Sequence, residues 1–550
     1  MRHGIRALAL LGSLAIAYGC GGKDDNESPS NLGGTGATSG TGGDTLGDTG
    51  GTGGDTLGGA GGTGGDTLGG TGGTGGSDVP SDPIVITSAE GAYWQTTSAT
   101  ETTEGDADVT VDASDEAQTW DGFGGCFTEL GWVYLLGLDD AARQQALQLL
   151  FGEEGAHFTW GRVPIGGNDY VLSRYTLDDT GDDIVPDSSE SNRPPADPEL
   201  DHFSIDRDLE GLIPYIQAAQ AVNPELRFWA NPWTPPVWMK TGFTTVASSD
   251  THAVASYYDG GNMKDDDETL SAHAQYFVRF LQAYADEGID IEIVAPQNEP
   301  GYDSQLNYPS CHWAPETYVD FIGNYLGPAL SNAGLDTRIM LGTFDADGST
   351  PYIAQVLADS AAREYCTVAG VGYGMVNMSK VQAVHDAGIP VWVSEHKAGN
   401  YFWLSSYQIP APNDLAYAVE TWELIRDAIT EVGVSAYNAW HMVLDASGER
   451  QIAASQWAQE SLLVADGGEL TITPAYYVFR HFSRYVEPGA RVVTVSKGDA
   501  VAFKNPDGSL VIVLRNNGEA TQLTVDVSGR LLSFSAPGHG FVTLVVPNLS

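Results

Sequence analysis

Ala295-Pro296-Gln297-Asn298-Glu299-Pro300 closes a mostly apolar run, Ile291 to Val294, that reads as a buried strand. The C-terminal end of such a strand is where a barrel of parallel strands keeps its reacting groups. Ile389-Pro390-Val391-Trp392-Val393-Ser394 leads in the same way into Glu395, 96 residues beyond Glu299. Two carboxylates on two strand ends point to sugar hydrolysis.

Working outward from these two stretches, short apolar strands alternate with helical segments. Eight strand positions stand out: Gly122 to Gly125, Phe158 to Pro164, Leu226 to Asn231, Ile291 to Pro296, Arg338 to Gly342, Thr367 to Tyr373, Val391 to Ser394 and Ser435 to Trp440. Helices are expected over Asp140 to Phe151, Asp206 to Val222, Leu270 to Glu287, Pro315 to Leu330 and Pro412 to Val432. This alternation predicts an α/β fold, a (β/α)8 TIM barrel. Alternating short strands lie outside it, over Ile84 to Val111 and Val492 to Val546, with turns such as Asn505-Pro506-Asp507-Gly508 between them. They predict a side β-sandwich to which both chain ends contribute. The expected organisation is 1–20 export signal, 21–80 linker, 81–118 N-terminal sandwich strands, 119–470 barrel and 471–550 C-terminal sandwich strands.

The first 80 residues differ in kind. Arg2, His3 and Arg6 precede an apolar run, Ala7 to Ala17, soon followed by Gly19-Cys20. That is an export signal, too short to remain as a membrane span. Cys20 stands where bacterial lipoproteins carry their lipid, although Ala17 replaces the usual Leu. The expected location is therefore exported and held to a membrane only through a lipid anchor. Gly21 to Gly76 is almost all Gly, Thr, Asp and Ser, and Gly-Gly-Asp-Thr-Leu-Gly recurs at Gly42, Gly53 and Gly64. One Leu per repeat buries too little surface to offset the entropy of ordering so many glycines. The segment reads as a tether.

The formal charge is -48, from 73 acids against 25 bases. Nucleic acid is an unsuitable partner, since phosphate binding needs clustered Lys or Arg. Clusters such as Asp178-Asp179-Thr180-Gly181-Asp182-Asp183 and Asp265-Asp266-Asp267-Glu268 lack EF-hand spacing and read as solvated loops. Beyond Cys20, Cys126, Cys311 and Cys366 allow one disulfide and leave one thiol, with the pairing open. No HExxH, paired CxxC, Walker or dinucleotide motif occurs, and the chemistry calls for no metal or organic cofactor.

A retaining glycosidase holds its two carboxyl groups about 5 to 5.5 Å apart, one as nucleophile and one as acid then base. Glu299 and Glu395 fit those parts. Asn298 is placed to hold a sugar hydroxyl or to cap its loop. Trp233, Trp238, Trp313, Trp403 and Trp440 lie near strand ends, where aromatic faces stack on sugars or pack the core. Arg162, inside an apolar run, needs a carboxylate partner, and Glu395 is a fair one. Asp169, after Gly166-Gly167-Asn168, binds sugar hydroxyls or makes a turn. His396 follows Glu395 and is a candidate to orient it and contact substrate. Lys397 either contacts substrate or is solvated.

The chain resembles glycoside hydrolase family 30, a family of retaining (β/α)8 enzymes that includes glucosylceramidases, β-1,6-glucanases and xylanases. The resemblance runs from about Trp120 to the C-terminus. It is carried by Asp121-Gly122-Phe123-Gly124-Gly125, Gly161-Arg162-Val163-Pro164, Asn231-Pro232-Trp233-Thr234-Pro235-Pro236, Pro296-Gln297-Asn298-Glu299-Pro300, Ser394-Glu395-His396 and the run Tyr476 to Ala490. It implies Glu299 as acid/base and Glu395 as nucleophile. It implies a sandwich built from the segment before the barrel together with the C-terminal strands. It also implies that Arg162, Asp169, Trp233, Asn298 and Trp440 line the subsite for the non-reducing sugar.

The chain departs from the glucosylceramidase branch at Gly372-Tyr373-Gly374-Met375, where that branch has a His-Trp-Tyr-like stretch, and at His396, which the xylanase branch shares. Tyr373 is kept as a substrate-binding candidate. Ser310-Cys311-His312-Trp313 looks closer to the glucosylceramidase and β-1,6-glucanase branches. A tethered enzyme suits a polymer better than a lipid, so the expected substrate is a β-linked oligosaccharide or polysaccharide. β-1,6-Glucan comes first, with xylan and glucosylceramide as alternatives. A non-catalytic carbohydrate-binding lipoprotein is the reading from another class.

Overall fold

The computed structural model describes residues 82–180, 194–241, 257–301, 308–345, 350–452 and 457–548. The export signal, Cys20, the Gly-rich repeats and Asp182-Asp183 lie outside the described residues.

Eight parallel strands close into a barrel in chain order: Gly122–Cys126, Trp160–Pro164, Arg227–Asn231, Ile291–Val294, Arg338–Phe344, Cys366–Gly372, Val391–Glu395 and Ala436–His441. The first and last pair with each other, Ala436 opposite Gly122. Trp160, Trp229, Ile293, Met340, Val368 and Trp392 fill the bore, with the Trp160 and Trp392 rings edge-on at 4.7 Å. Bulky side chains from six successive strands make this a packed core. The Gly-Phe-Gly-Gly run of the first strand serves that packing. A Cβ on Gly124 would lie 2.3 Å from the Trp160 carbonyl oxygen and 2.7 Å from Asn438 Oδ1.

The helices follow their capping signals. Asp266 accepts from the Thr269 N–H at 3.0 Å and starts the helix Asp267–Asp286, so the acidic run at 265–268 is a helix N-terminus. The helix expected over Asp206 to Val222 is two, Asp206–Glu210 and Leu212–Val222. Gly211 turns the backbone between them, and Pro214, lacking an N–H, fits the first turn of the second. The expected Pro315 to Leu330 helix contains a π turn at Phe321–Leu326, just before Gly327-Pro328. Pro328 cannot donate to the preceding turn, which widens there.

Beside the barrel lies a ten-stranded sheet folded into a sandwich. Its order interleaves the chain ends: Ile84–Ala89 sits between Ala92–Ser98 and Phe541–Val546, and Val109–Thr119 between Arg491–Val495 and Thr521–Val527. Val85, Val111, Ile512, Val525, Phe534 and Leu544 form its own core. The helix Pro474–Ser483 joins the two bodies. Its His481 bridges Thr543 Oγ1 and Ser88 Oγ, each at 2.8 Å. Arg480 lies 3.8 Å over Trp94, and Tyr477 stacks on Tyr93 at 4.6 Å.

The disulfide that the cysteine count allows is not formed among the described residues. Cys126, Cys311 and Cys366 are all free and buried. Cys126 ends the first barrel strand and Cys366 begins the sixth, so parallel strands put them at opposite ends of the barrel. Cys311 lies in the loop after the fourth strand.

Candidate active site

Glu395 is the last residue of the seventh strand, and Glu299 lies five residues past the end of the fourth. Both line one cavity of ≈ 300 Å³ at the C-terminal face of the barrel. Glu299 adopts φ 47°, a left-handed conformation uncommon for a side chain of this kind. The surrounding loops hold it there. Its N–H donates to the Thr343 carbonyl at 3.0 Å, and the Asn298 N–H donates to the Pro232 carbonyl at 2.8 Å. Backbone from the third-strand and fifth-strand sides therefore fixes the 298–299 pair, a mark of an over-determined functional position.

The two carboxyl groups have different surroundings. Arg162, wholly buried, donates from Nη1 to Glu395 Oε2 at 2.5 Å. Its Nε donates to Asn231 Oδ1 at 3.0 Å and its Nη2 to Asn298 Oδ1 at 2.6 Å. The guanidinium lies 4.3 Å over the ring of Trp233. Glu299 instead accepts from the Tyr308 hydroxyl at 3.0 Å. Burial, then the negative charges of Asp345 and Glu395, hold the Glu299 carboxyl well above the usual carboxylate range. Asp345 is itself pushed up to about 6, first by burial, although it accepts from the Gly374 N–H at 2.9 Å.

The inner end of the cavity carries Trp233 and Trp440, stacked at 5.4 Å, with Asp169 beside them. Burial pushes Asp169 up to about 6 against the opposing charge of Arg450, 3.6 Å away. Asp169 Oδ1 is buried with no protein hydrogen-bond partner among the described residues. Such an acceptor fits a hydroxyl brought by a ligand.

Of the residues singled out from sequence, Glu299, Glu395, Asp169, Trp233, Asn298, Tyr373, Trp403 and Trp440 line the cavity together. Arg162 stands behind them and orients Glu395 and Asn298 without lining it. Two expectations need correcting. His396 faces away from the cavity, because successive strand residues point to opposite sides. It is buried against Tyr437 Oη at 2.6 Å and Thr421 Oγ1 at 3.2 Å, and burial pushes its pKa down to about 3. Trp313 is wholly buried among His273, Tyr318 and Phe321, and its indole N–H donates to Gln297 Oε1 at 3.4 Å. It supports the 296–300 loop from beneath. Lys397 pairs with Glu420, and Trp238 donates to Asp178 Oδ2 at 2.8 Å.

Asp345, Tyr308, Phe402, Arg450, Trp457 and Gln459 also line the cavity and were not anticipated. Asp345 directly follows the apolar fifth strand, the same signal that marked Glu299. The others sit on long loops without periodicity, where nothing local in the sequence marks them.

A family model described as the glycosyl hydrolase family 30 TIM-barrel domain matches residues 120–486, and one for the family 30 beta sandwich domain matches residues 489–544. The chain is 27% identical over 460 residues to endo-1,6-beta-D-glucanase neg1 of Aspergillus fumigatus, covering 80% of this chain and 88% of that one. It is 26% identical over 469 residues to the lysosomal acid glucosylceramidase of Mus musculus, covering 80% and 82%. Its fold matches that of the endo-beta1,6-glucanase BT3312 with a TM-score of 0.70 at 24% identity, covering 85% of this chain and 99% of the other.

Proposed function

This chain belongs to glycosyl hydrolase family 30, and from that premise, which makes it a glycoside hydrolase, we propose that it cleaves a β-linked glucan with retention at the anomeric carbon. Glu395 attacks that carbon and forms a glycosyl ester while the glycosidic C–O bond breaks. Glu299 gives its proton to the departing oxygen. It then takes a proton from water, whose oxygen displaces Glu395 and regenerates both groups.

The observation that carries this division of labour is the unequal pairing of two carboxyls in one cavity. Glu395 faces a buried guanidinium that balances a carboxylate's charge. Glu299 has acidic neighbours and a raised pKa, which favours the protonated form an acid needs. Asn298 spends its carbonyl oxygen on Arg162 and keeps its NH2 to offer a sugar hydroxyl.

For the polymer we favour a β-1,6-linked glucan, supported by the likeness over four-fifths of the chain to an endo-1,6-beta-D-glucanase. The test is product analysis on β-1,6-glucan, linear xylan, glucuronoxylan and glucosylceramide, with Glu395→Gln alongside. Release of β-1,6-linked gluco-oligosaccharides, first formed as the β anomer and lost in the variant, is the expected result. Cleavage of another substrate alone overturns the choice of polymer. An α anomer formed first overturns retention. Cleavage of none favours the carbohydrate-binding reading.

A further inference from the structure

The loop after the seventh strand exposes apolar surface that nothing in the catalytic step uses. Phe402 is 43% exposed, Trp403 59%, Leu404 49% and Ile409 57%. These are half of the large hydrophobic side chains exposed among the described residues, gathered on one loop. Such gathering marks a binding surface, whereas scattered single residues do not. Phe402 and Trp403 line the same cavity as Glu299 and Glu395, at its outer end, together with Trp457. The three rings pack on one another, Trp403 on Trp457 at 5.3 Å and Phe402 on Trp403 at 4.9 Å.

The loop is tied down. The Trp457 indole N–H donates to the Asn400 carbonyl at 2.9 Å, and the Asn400 amide donates to the Gln408 carbonyl at 2.8 Å. The Ala458 N–H donates to the Tyr407 hydroxyl at 2.9 Å. Exposed aromatics on a fixed loop form a platform whose order is set before binding, so little entropy is lost on contact.

Its side of the reaction follows from the packing. Asp345 accepts from the Gly374 N–H at 2.9 Å, which sets it beside Tyr373, and both line the cavity with Glu299 and Glu395. Tyr373 approaches Tyr401 at 6.3 Å, and Tyr401 approaches Trp403 at 4.5 Å. An aromatic row thus runs from the carboxyl pair to the rim, where Trp403 is 59% exposed, away from the buried end at Trp233, Trp440 and Asp169. Glu299 is the group that protonates the leaving oxygen. Trp233, Trp440 and Asp169 occupy the inner end, where the sugar under attack is held.

We propose that Trp403, with Phe402 and Trp457, is a binding platform for the sugar residues on the leaving-group side of the cleaved bond. The inference rests on the glycosidase reading above. A sugar fits better than an acyl chain, because the cavity running up to the platform is lined by carboxylates, which accept hydroxyl hydrogen bonds that a hydrocarbon cannot offer. The cavity itself is small, so most of a polymer lies beyond it, against this rim.

The test uses the full chain and compares kcat/KM for an oligosaccharide of the polymer that the wild type cleaves with kcat/KM for an aryl glycoside of the same sugar. Trp403→Ala should lower the ratio of the two by about tenfold or more, the effect of losing one large apolar contact. Trp403→Phe, which keeps an aromatic face, should restore most of it. An unchanged ratio in Trp403→Ala, with the wild type active, overturns the platform and leaves the glycosidase reading standing. A loss confined to glucosylceramide in mixed micelles also overturns it, in favour of an acyl-chain contact. A wild type inactive on every glycoside overturns both readings.

Discussion

Arg162 Nη1 stands 2.5 Å from Glu395 Oε2, and the arginine side chain that makes this contact is wholly out of solvent. The same guanidinium reaches Asn231 and Asn298, so one planar fork sets the positions of groups from the third, fourth and seventh strands. A lone ammonium cannot span three acceptors in that geometry.

Arg162→Lys should therefore fold but lose activity by about a hundredfold, mostly in kcat, through misplacement of the reacting groups. Arg162→Ala should be destabilised by about 3–5 kcal/mol, because the Glu395 charge is left without its partner. Thermal unfolding and steady-state kinetics check the two separately.

Glu299→Ala should slow hydrolysis of natural glycosides by roughly 10²–10⁴-fold, the usual worth of a positioned proton donor. Aryl glycosides with acidic leaving groups need less protonation and should still form the glycosyl ester. Added azide should then speed turnover and yield a β-glycosyl azide. No azide adduct would take the acid/base role away from Glu299.

Asp345→Asn should move the alkaline limb of the activity profile to lower pH. Activity requires protonated Glu299 and fades as pH rises through its raised pKa. Removing the negative charge of Asp345 lets that pKa fall, so activity fades earlier. The kcat/KM profile on a good substrate measures it, and a shift to higher pH would contradict the assignment.

His273, His396, His441 and His481 are buried, and burial pushes each down to about 3 from 6.5. The unfolded chain binds more protons between those values, so these groups withdraw stability as pH falls below about 6.5, each by at most about 1.4 kcal/mol per pH unit. Asp169, Asp208 and Asp345, raised to about 6, act in the opposite sense between roughly pH 6 and 4. His273 has no hydrogen-bond partner on either ring nitrogen among the described residues and packs among Tyr276, Phe277, Trp313 and Phe321. His273→Phe should unfold less readily than the wild type at pH 4.5, with a smaller difference at pH 7.5. Parallel urea titrations show whether it does.

The barrel was legible because each of its strands is a short apolar run followed by turn chemistry, and the helices carry acidic caps such as Asp139 and Asp266. The alternation that placed Glu395 in the cavity also turns His396 out of it, a consequence that adjacency in sequence conceals. Trp313 looked like a rim residue because it follows a strand end, but three neighbouring rings draw it inward. Tyr308 and Trp457 line the site from outside any helix or strand, and Trp457 is placed there by a bond to Asn400, 57 residues away in sequence.

Export and lipidation rest on Arg2 to Cys20 alone. We propose that Cys20 carries the lipid in cells. Expression of the whole chain in a Gram-negative host should place it in the membrane fraction, labelled by a fatty-acid analogue. Cys20→Ala should abolish the label and release the protein. Label retained in the variant would remove Cys20 from that role.

The pairing of Ile84 with Val545 sets the order in which this molecule can be completed. Domains form as synthesis proceeds at about 5–20 residues per second, so the first sandwich strand waits roughly 20 to 90 s for its neighbour. Ala92–Ser98 covers one edge early, but throughout that interval the edge awaiting Phe541–Val546 is open to strands of other chains. A sheet that joins strands so far apart in sequence thus delays the final fold until Val545 has been made, and leaves the nascent chain dependent on being shielded or kept extended until then.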